Sequence, residues 1–174
     1  MDVWEAIAKR RSVRRYRADD IPPKAVQRIL EAAVSAPSAG NKQPWHFWVV
    51  RNAGVKQALC EAAWNQRFIA EAPVVIVVCV EPERSASTYG NRGRELYCLQ
   101  DTAAATMNIL LAATALGLGS CWVGAFSEAA VARALGLPAS MRPVALVPLG
   151  CCLDEGEARR TTRRPLSEVT STID

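Results

Sequence analysis

Apolar positions recur along the chain with two different periods, and the switches between them mark out the elements. Near the N-terminus Val3, Trp4 and Ile7 share one helical face behind Asp2, which is placed as an N-cap, so a helix is expected from about Asp2. Its last turn runs into a basic stretch, where the helix dipole favours cations. Ile21-Pro22-Pro23 opens a second helix with Val26, Ile29, Leu30 and Ala33 at helical spacing, ending before Pro37. The turn-forming segment PSAGNKQP then reads as a loop. Trp45 to Val50 reads as a strand, and Asn52 caps a short helix reaching about Ala63. Val74 to Val80 is unbroken apolar sequence between Pro73 and Pro82, and its length and β-branched content suit a strand buried on both faces.

Residues 81–93 are polar and carry Pro, Ser, Gly and Asn, so a loop is expected there. Arg94 to Leu116 is the longest helical pattern, with Leu96, Leu99, Ala103, Met107, Leu110 and Ala113 stepping by three or four. Its alanines allow close approach, which suits the centre of the core or a dimer interface. Gly117 to Phe126 turns into a short strand, and Ser127 with Glu128 starts a helix ending near Gly136. Pro143 to Leu149 is a last core strand with Pro148 near its end or on an edge. Beyond Gly150 the chain is polar and basic, with a final apolar spacing of Leu166, Val169 and Ile173. Helices and strands mix without strict βαβ alternation, so the expected fold is α+β, in a single domain spanning 1–174.

Half the chain is apolar and 22% is charged, an ordinary globular balance that excludes wholesale disorder. A core of this size needs neither metal nor disulfides. The longest apolar stretch, Leu110 to Val123, is interrupted and shorter than the ~20 residues that span a bilayer, so no membrane segment is expected. The N-terminus lacks the apolar core of a signal peptide. The six cysteines form no C-x-x-C pair and read as reduced, mostly buried thiols of a cytoplasmic protein. With His46 the only histidine, zinc sites and histidine-based nucleophilic catalysis are poor readings; within WHFWVV it reads as a packed structural residue. GLGSCWVG lacks the G-x-G-x-x-G spacing and follows a helix, so a dinucleotide loop is weak too.

Charge changes the picture most. KRRSVRRYR at 9–17 holds six basic residues and RRTTRR at 159–164 holds four, with no acid in either, while the other 11 Lys and Arg face 17 acids. Two cationic patches on an otherwise acidic body suit nucleic acid, an acidic partner or a phosphorylated ligand. Arg10, Arg11, Ser12 and Arg14 combine guanidinium forks, which match phosphate oxygens bidentately, with a hydroxyl donor. Arg163 and Arg164 can close on the same phosphate, and Ser38 and Asn41 can bond the edge of a polar heteroaromatic ring. Only Tyr16 lies among the arginines, which argues against a nucleic-acid-binding module.

Five motifs occur together in order. They are Arg10-Arg11-Ser12-Val13-Arg14-Arg15-Tyr16, then APSAGNKQPW (36–45), Asn65 ahead of the Pro73 strand, GLGSCWVGAF (117–126) and Arg163-Arg164-Pro165-Leu166. In these the chain resembles the FMN-dependent nitroreductases over nearly its whole length. The resemblance implies a central, mainly antiparallel sheet flanked by helices, and an intertwined homodimer with a swapped C-terminal tail and FMN at two interfacial sites. Arg10, Arg11, Ser12 and Arg14 would then meet the FMN phosphate and the ring's N1/O2 edge, with Arg163 and Arg164 completing the phosphate clamp. Pro37, Ser38 and Asn41 would come from the other subunit, Asn65 would bond the pyrimidine edge, and Trp122, Val123 and Gly124 would lie near N5. It implies ping-pong hydride transfer from NADH or NADPH to a nitroaromatic, quinone or enone, with no metal and no catalytic side chain. Other chemistry of the same superfamily, reductive dehalogenation or flavin fragmentation, is the alternative. Two departures stand out: only Glu81 to Gly93 is available as a lid over the pocket, and Phe68 stands where some relatives carry a lysine.

Overall fold

Four strands make one antiparallel sheet in the order β1-β2-β4-β3: β1 (Trp45–Val50), β2 (Val74–Val80), β3 (Gly119–Ser120) and β4 (Arg142–Gly150). This is seen in a computed structural model that describes residues 1–153 and 162–173. Every residue of β2 is buried, as its unbroken apolar sequence requires. Because side chains alternate across a strand, β2 feeds two cores. Val75, Val77 and Cys79 pack on one face with α3 (Ala53–Ala62), α4 (Phe68–Glu71) and α7 (Glu128–Leu135). Val74, Ile76 and Val78 pack on the other with α2 (Pro23–Val34) and α6 (Cys98–Ala115). The α+β fold with helices on both faces of an antiparallel sheet is therefore as expected, and both long strands keep their expected limits to within a residue or so.

Local chemistry sets the helix starts. In α1 (Val3–Lys9) the Asp2 carboxylate accepts the Glu5 N–H at 2.8 Å while Glu5 accepts the Asp2 N–H at 3.1 Å, a reciprocal capping box. Asn52 caps α3 through the Val55 N–H at 3.0 Å, and Ser127 caps α7 through the Ala130 N–H at 3.3 Å. Gly136 ends α7 in the left-handed region at φ 63°.

Three expectations change. Residues 81–93 are not a loop: Pro82–Arg92 forms α5, bent at Gly90, and a π-helical turn Gly93–Tyr97 leads into α6. Pro82 occupies a first-turn position, where its missing N–H costs nothing, and only Ser85 of α5 is buried, so no apolar stripe betrays the helix. Second, α6 turns inward a face that agrees with the expected one only at Leu110 and Ala113, both buried. Cys98, Thr102, Ala105, Thr106, Ile109 and Ala113 are buried, whereas Met107 is exposed and Leu99 and Ala103 are half-buried. Threonine hydroxyls enter that face because each bonds back to a carbonyl one turn earlier, Thr102 to Cys98 and Thr106 to Thr102. Third, Val3, Trp4 and Ile7 of α1 face outward in the single chain, with Trp4 77% exposed; only Ala6 is buried. Four cysteines are buried, two are half-buried, and all six are free thiols. Among the described residues no helix is long and apolar enough to cross a membrane.

Candidate functional site

After Arg10, which closes α1, the chain runs extended along the end of the sheet. The Val13 N–H bonds Ser120 O at 2.9 Å, the Arg17 N–H bonds Cys151 O at 2.9 Å, and Leu153 N–H returns to Arg15 O at 3.1 Å. Tyr16 anchors the segment from below: its buried hydroxyl donates to Val13 O at 2.6 Å, with Pro148 O also within 3.2 Å. Glycines permit this approach, since a Cβ on Gly119 would fall 2.8 Å from Val13 Cγ1, and one on Gly150 would fall 2.8 Å from Tyr16 Cδ1. With Val13 buried, the alternation of an extended chain turns its neighbours Ser12 and Arg14 to the other side, where both are exposed.

The basic motif is thereby gathered at one spot. Burial pushes the Cys121 thiol upward in pKa, and Arg14, Ser12 and Arg10 each oppose that shift, so all three lie around this residue. The Arg14 guanidinium sits 5.8 Å above the Phe68 ring, a cation–π contact. Among the described residues neither Arg10 nor Arg14 has a carboxylate partner. Arg11 beside them is half-buried. Asn65 stands three residues before Phe68 in an exposed turn where Trp64 (φ 54°) and Asn65 (φ 60°) are both left-handed. A bulky side chain there costs roughly 1–2 kcal/mol, and the turn is held by the Asn65 N–H on Cys60 O at 2.9 Å. The same side of the molecule carries Trp122, exposed, and Gly124, where an added Cβ would meet nothing nearer than Trp122 Nε1 at 3.8 Å. Val123 lies deeper than Trp122. Its side chain is core, and its N–H and C=O both pair with Leu146, at 2.9 and 3.0 Å, so it supports the surface from beneath and has no free donor.

The second group of candidates lies elsewhere. Pro37, Ser38 and Asn41 belong to a loop with left-handed residues at Gly40, Asn41 and Gln43. Gln43 organises it: its N–H donates to Ser38 Oγ at 3.0 Å and its side-chain amide donates to Asn41 Oδ1 at 3.1 Å. Both acceptors being occupied, Ser38 keeps its hydroxyl proton and Asn41 its NH₂ group to offer outward. The loop is fixed from α5 by Arg84 Nε on Lys42 O (3.2 Å) and by Tyr89, whose hydroxyl lies 2.5 Å from where a Gly40 Cβ would stand. Asp101, in the first turn of α6, accepts the Ala39 N–H at 3.1 Å.

These two groups sit at opposite ends of α6. From Asp101 to Leu116, where the chain turns toward Ser120 and the arginine segment, the helix rises about 22 Å. Within one chain they do not meet. Arg163 and Arg164 lie in the exposed tail, where Arg164 pairs with Glu168 at 3.1 Å, and no described contact brings them to Arg10 or Arg14. Arg159 and Arg160, the other two basic residues of that cluster, lie within 154–161, outside the described residues. Sequence reading missed Gln43, Asp101 and Ser120. Ser120 Oγ is buried without a hydrogen-bond partner among the described residues, on the segment that pairs alongside Ser12. The one signal for Asp101 was that it is the single acid of an alanine- and threonine-rich helix.

Comparison with known proteins follows the same lines. The model of the nitroreductase family matches residues 7–67 and 54–151. A proposed NADH dehydrogenase/NAD(P)H nitroreductase of Archaeoglobus fulgidus is 40% identical over 153 residues, covering 86% of this chain and 84% of that protein. An NADH dehydrogenase of Thermus thermophilus is 35% identical over 196 aligned positions, covering 97% and 95%. A proposed nitroreductase of Desulfovibrio desulfuricans, solved in complex with FMN, superposes with a TM-score of 0.87 at 32% identity and covers 100% of this chain and 98% of its own. The chain belongs to the nitroreductase family.

Proposed function

We propose that this chain is an FMN-dependent NAD(P)H oxidoreductase that works as a homodimer, each site being built from both subunits. The observation that carries the reading is the placement of the two halves. One end of α6 gathers Arg10, Ser12 and Arg14 without acidic partners among the described residues, and the other end holds Ser38 and Asn41 as outward donors. Within a single chain about 22 Å of helix lies between them, so both reach one ligand only if a second copy brings its loop to the first copy's arginines. The outward apolar face of α1 (Val3, Trp4, Ile7) and the exposed Leu166, Val169 and Ile173 supply surface for that association.

The residues present fit FMN. A buried hydroxyl with no partner among the described residues, Ser120 Oγ, adjoins a set composed of cations and hydrogen-bond donors, the set an anionic phosphate and carbonyl-rich ring require. Arg10, Arg11, Ser12 and Arg14, with Arg163 and Arg164 of the tail, would hold the phosphate and the N1/O2 edge. Asn65 would take the pyrimidine edge, Trp122 and Gly124 the N5 side, and the partner's Pro37, Ser38 and Asn41 the remaining edge. When bound, FMN supplies hydride acceptance from NADH or NADPH and its delivery to an electron-poor acceptor such as a nitroaromatic, quinone or enone. Arg14, braced on Phe68, would set positive charge toward the N1/O2 edge, the part of the ring that carries negative charge when reduced. No side chain need act as a base, and half-buried His46, packed 5.6 Å from Trp48, is not called upon. Both substrates share one face in turn, so turnover is ping-pong.

Two measurements test this reading. Titration of the flavin-free protein with FMN should quench flavin fluorescence to a stoichiometry of one per chain, and sedimentation should give a dimer. An FMN-loaded monomer at micromolar concentration would refute the shared site.

A further inference from the structure

We propose that Asp101 is the positioning residue of the loop 37–43, fixing from the first turn of α6 where Ser38 and Asn41 present their donors. The proposal rests on the FMN reading above for its consequence, and on the geometry of this chain for its cause. Asp101 is an acid on an alanine- and threonine-rich helix, 7% exposed. One carboxyl oxygen, Oδ1, accepts the Ala39 N–H at 3.1 Å, a contact across 62 residues of sequence. Ala39 lies between Ser38 and Asn41, so this bond pins the middle of the segment that bears both donors.

The other contacts of the loop leave that work to Asp101. Gln43 ties Ser38 and Asn41 to each other, and so shapes the loop without placing it on the fold. Arg84 and Tyr89 hold Lys42 and Gly40 from α5, which is bent at Gly90 and has only Ser85 buried. Among the described residues Asp101 alone joins the loop by a side-chain hydrogen bond to α6, whose inner face packs in the core.

The second oxygen, Oδ2, is buried with no partner among the described residues. A buried carboxylate with one unanswered oxygen is costly, and burial accordingly raises the Asp101 pKa, with the Ala39 N–H opposing the shift. What the loop needs from Asp101 is therefore an acceptor at Oδ1 and not a negative charge. Asparagine supplies the same acceptor, and alanine does not.

The test compares Asp101→Asn, Asp101→Ala and Ala39→Pro in the full-length protein. Proline at 39 deletes the donor while keeping Asp101, and Ser38 is already extended (φ −143°, ψ 150°), the conformation a residue before proline adopts. FMN affinity should fall about tenfold in Asp101→Ala and in Ala39→Pro, and stay within about threefold of the parent in Asp101→Asn. Hydrogen–deuterium exchange of the flavin-free protein should quicken in a peptide covering 37–43 for the first two variants and not in one covering 74–80. If Asp101→Ala does not fold, Ala39→Pro decides. Parent-like FMN affinity and parent-like exchange at 37–43 in Ala39→Pro would overturn the proposal, as would an Asp101→Asn variant as weak as Asp101→Ala. Should the parent itself fail to bind FMN, the FMN reading falls, and the exchange comparison still decides the role of Asp101 in the loop.

Discussion

Replacing Tyr16 by Phe removes one oxygen from the centre of the fold and leaves the ring's packing intact. The hydroxyl is buried and donates to Val13 O at 2.6 Å, with Pro148 O within 3.2 Å. Burial raises its pKa, so it remains a donor throughout the accessible pH range. Without it, Pro148 O retains the Cys121 N–H at 3.4 Å, but the bond from the side chain to Val13 O is lost. A buried carbonyl stripped of its partner costs about 1–3 kcal/mol. With the bond to Pro148 partly replaced, about 1–2 kcal/mol is expected. For a domain of this size that is about 2–4 °C in Tm per kcal/mol, hence a fall of roughly 4 °C. Urea denaturation of the flavin-free protein at fixed concentration measures it, since dimerisation couples stability to concentration. Tyr97→Phe serves as the comparison, because among the described residues its hydroxyl accepts only from the exposed Arg92 Nε, at 2.9 Å, and a surface change of this kind stays within about 0.5 kcal/mol. Equal stability of Tyr16→Phe and the parent would refute the view that this hydroxyl anchors the arginine-bearing segment.

Removing Arg10, Arg14 or Arg163 singly should weaken FMN binding about 10- to 150-fold, from the loss of a charge-assisted bond of about 1.5–3 kcal/mol; unchanged affinity in Arg163→Ala would remove the tail from the site. Phe68→Ala should weaken FMN binding less than Arg14→Ala, because the ring only braces a guanidinium that still reaches the ligand; a larger loss in Phe68→Ala, with fold and dimer intact, would contradict that order. Arg142 donates to both Glu128 oxygens at 2.8 Å and holds that carboxyl below its ordinary range, so its stabilisation is present above ordinary carboxylate pKa values and is lost as pH falls through the depressed one. The pair is half-exposed, so Glu128→Gln should cost less than about 1 kcal/mol at neutral pH and nothing at strongly acidic pH, read from urea midpoints.

Elements governed by near neighbours were legible from the chain. Prolines at 73 and 82 bound β2, and Asp2, Asn52 and Ser127 cap their helices by side chains reaching three residues ahead. The helix α5 was not legible, because it buries only Ser85 and its Gly90 reads as a loop signal. The inner face of α6 was misjudged because threonines satisfied within the helix count as polar in any pattern. At the site, the residue types were visible as motifs, while their grouping was not. That Ser12 lies along Ser120, and that Asp101 holds Ala39, are contacts across more than sixty residues. Trp4 reads as core from its spacing yet is exposed, since the pattern records that a face is apolar and not which chain covers it.

The most direct test is anaerobic mixing of the FMN-loaded protein with NADH and, separately, NADPH, followed at the oxidised-flavin absorption band. Bleaching by at least one nicotinamide, reversed on adding a nitroaromatic or quinone and preserved in His46→Gln, is the predicted result. A protein that binds FMN tightly yet is bleached by neither nicotinamide would contradict the account.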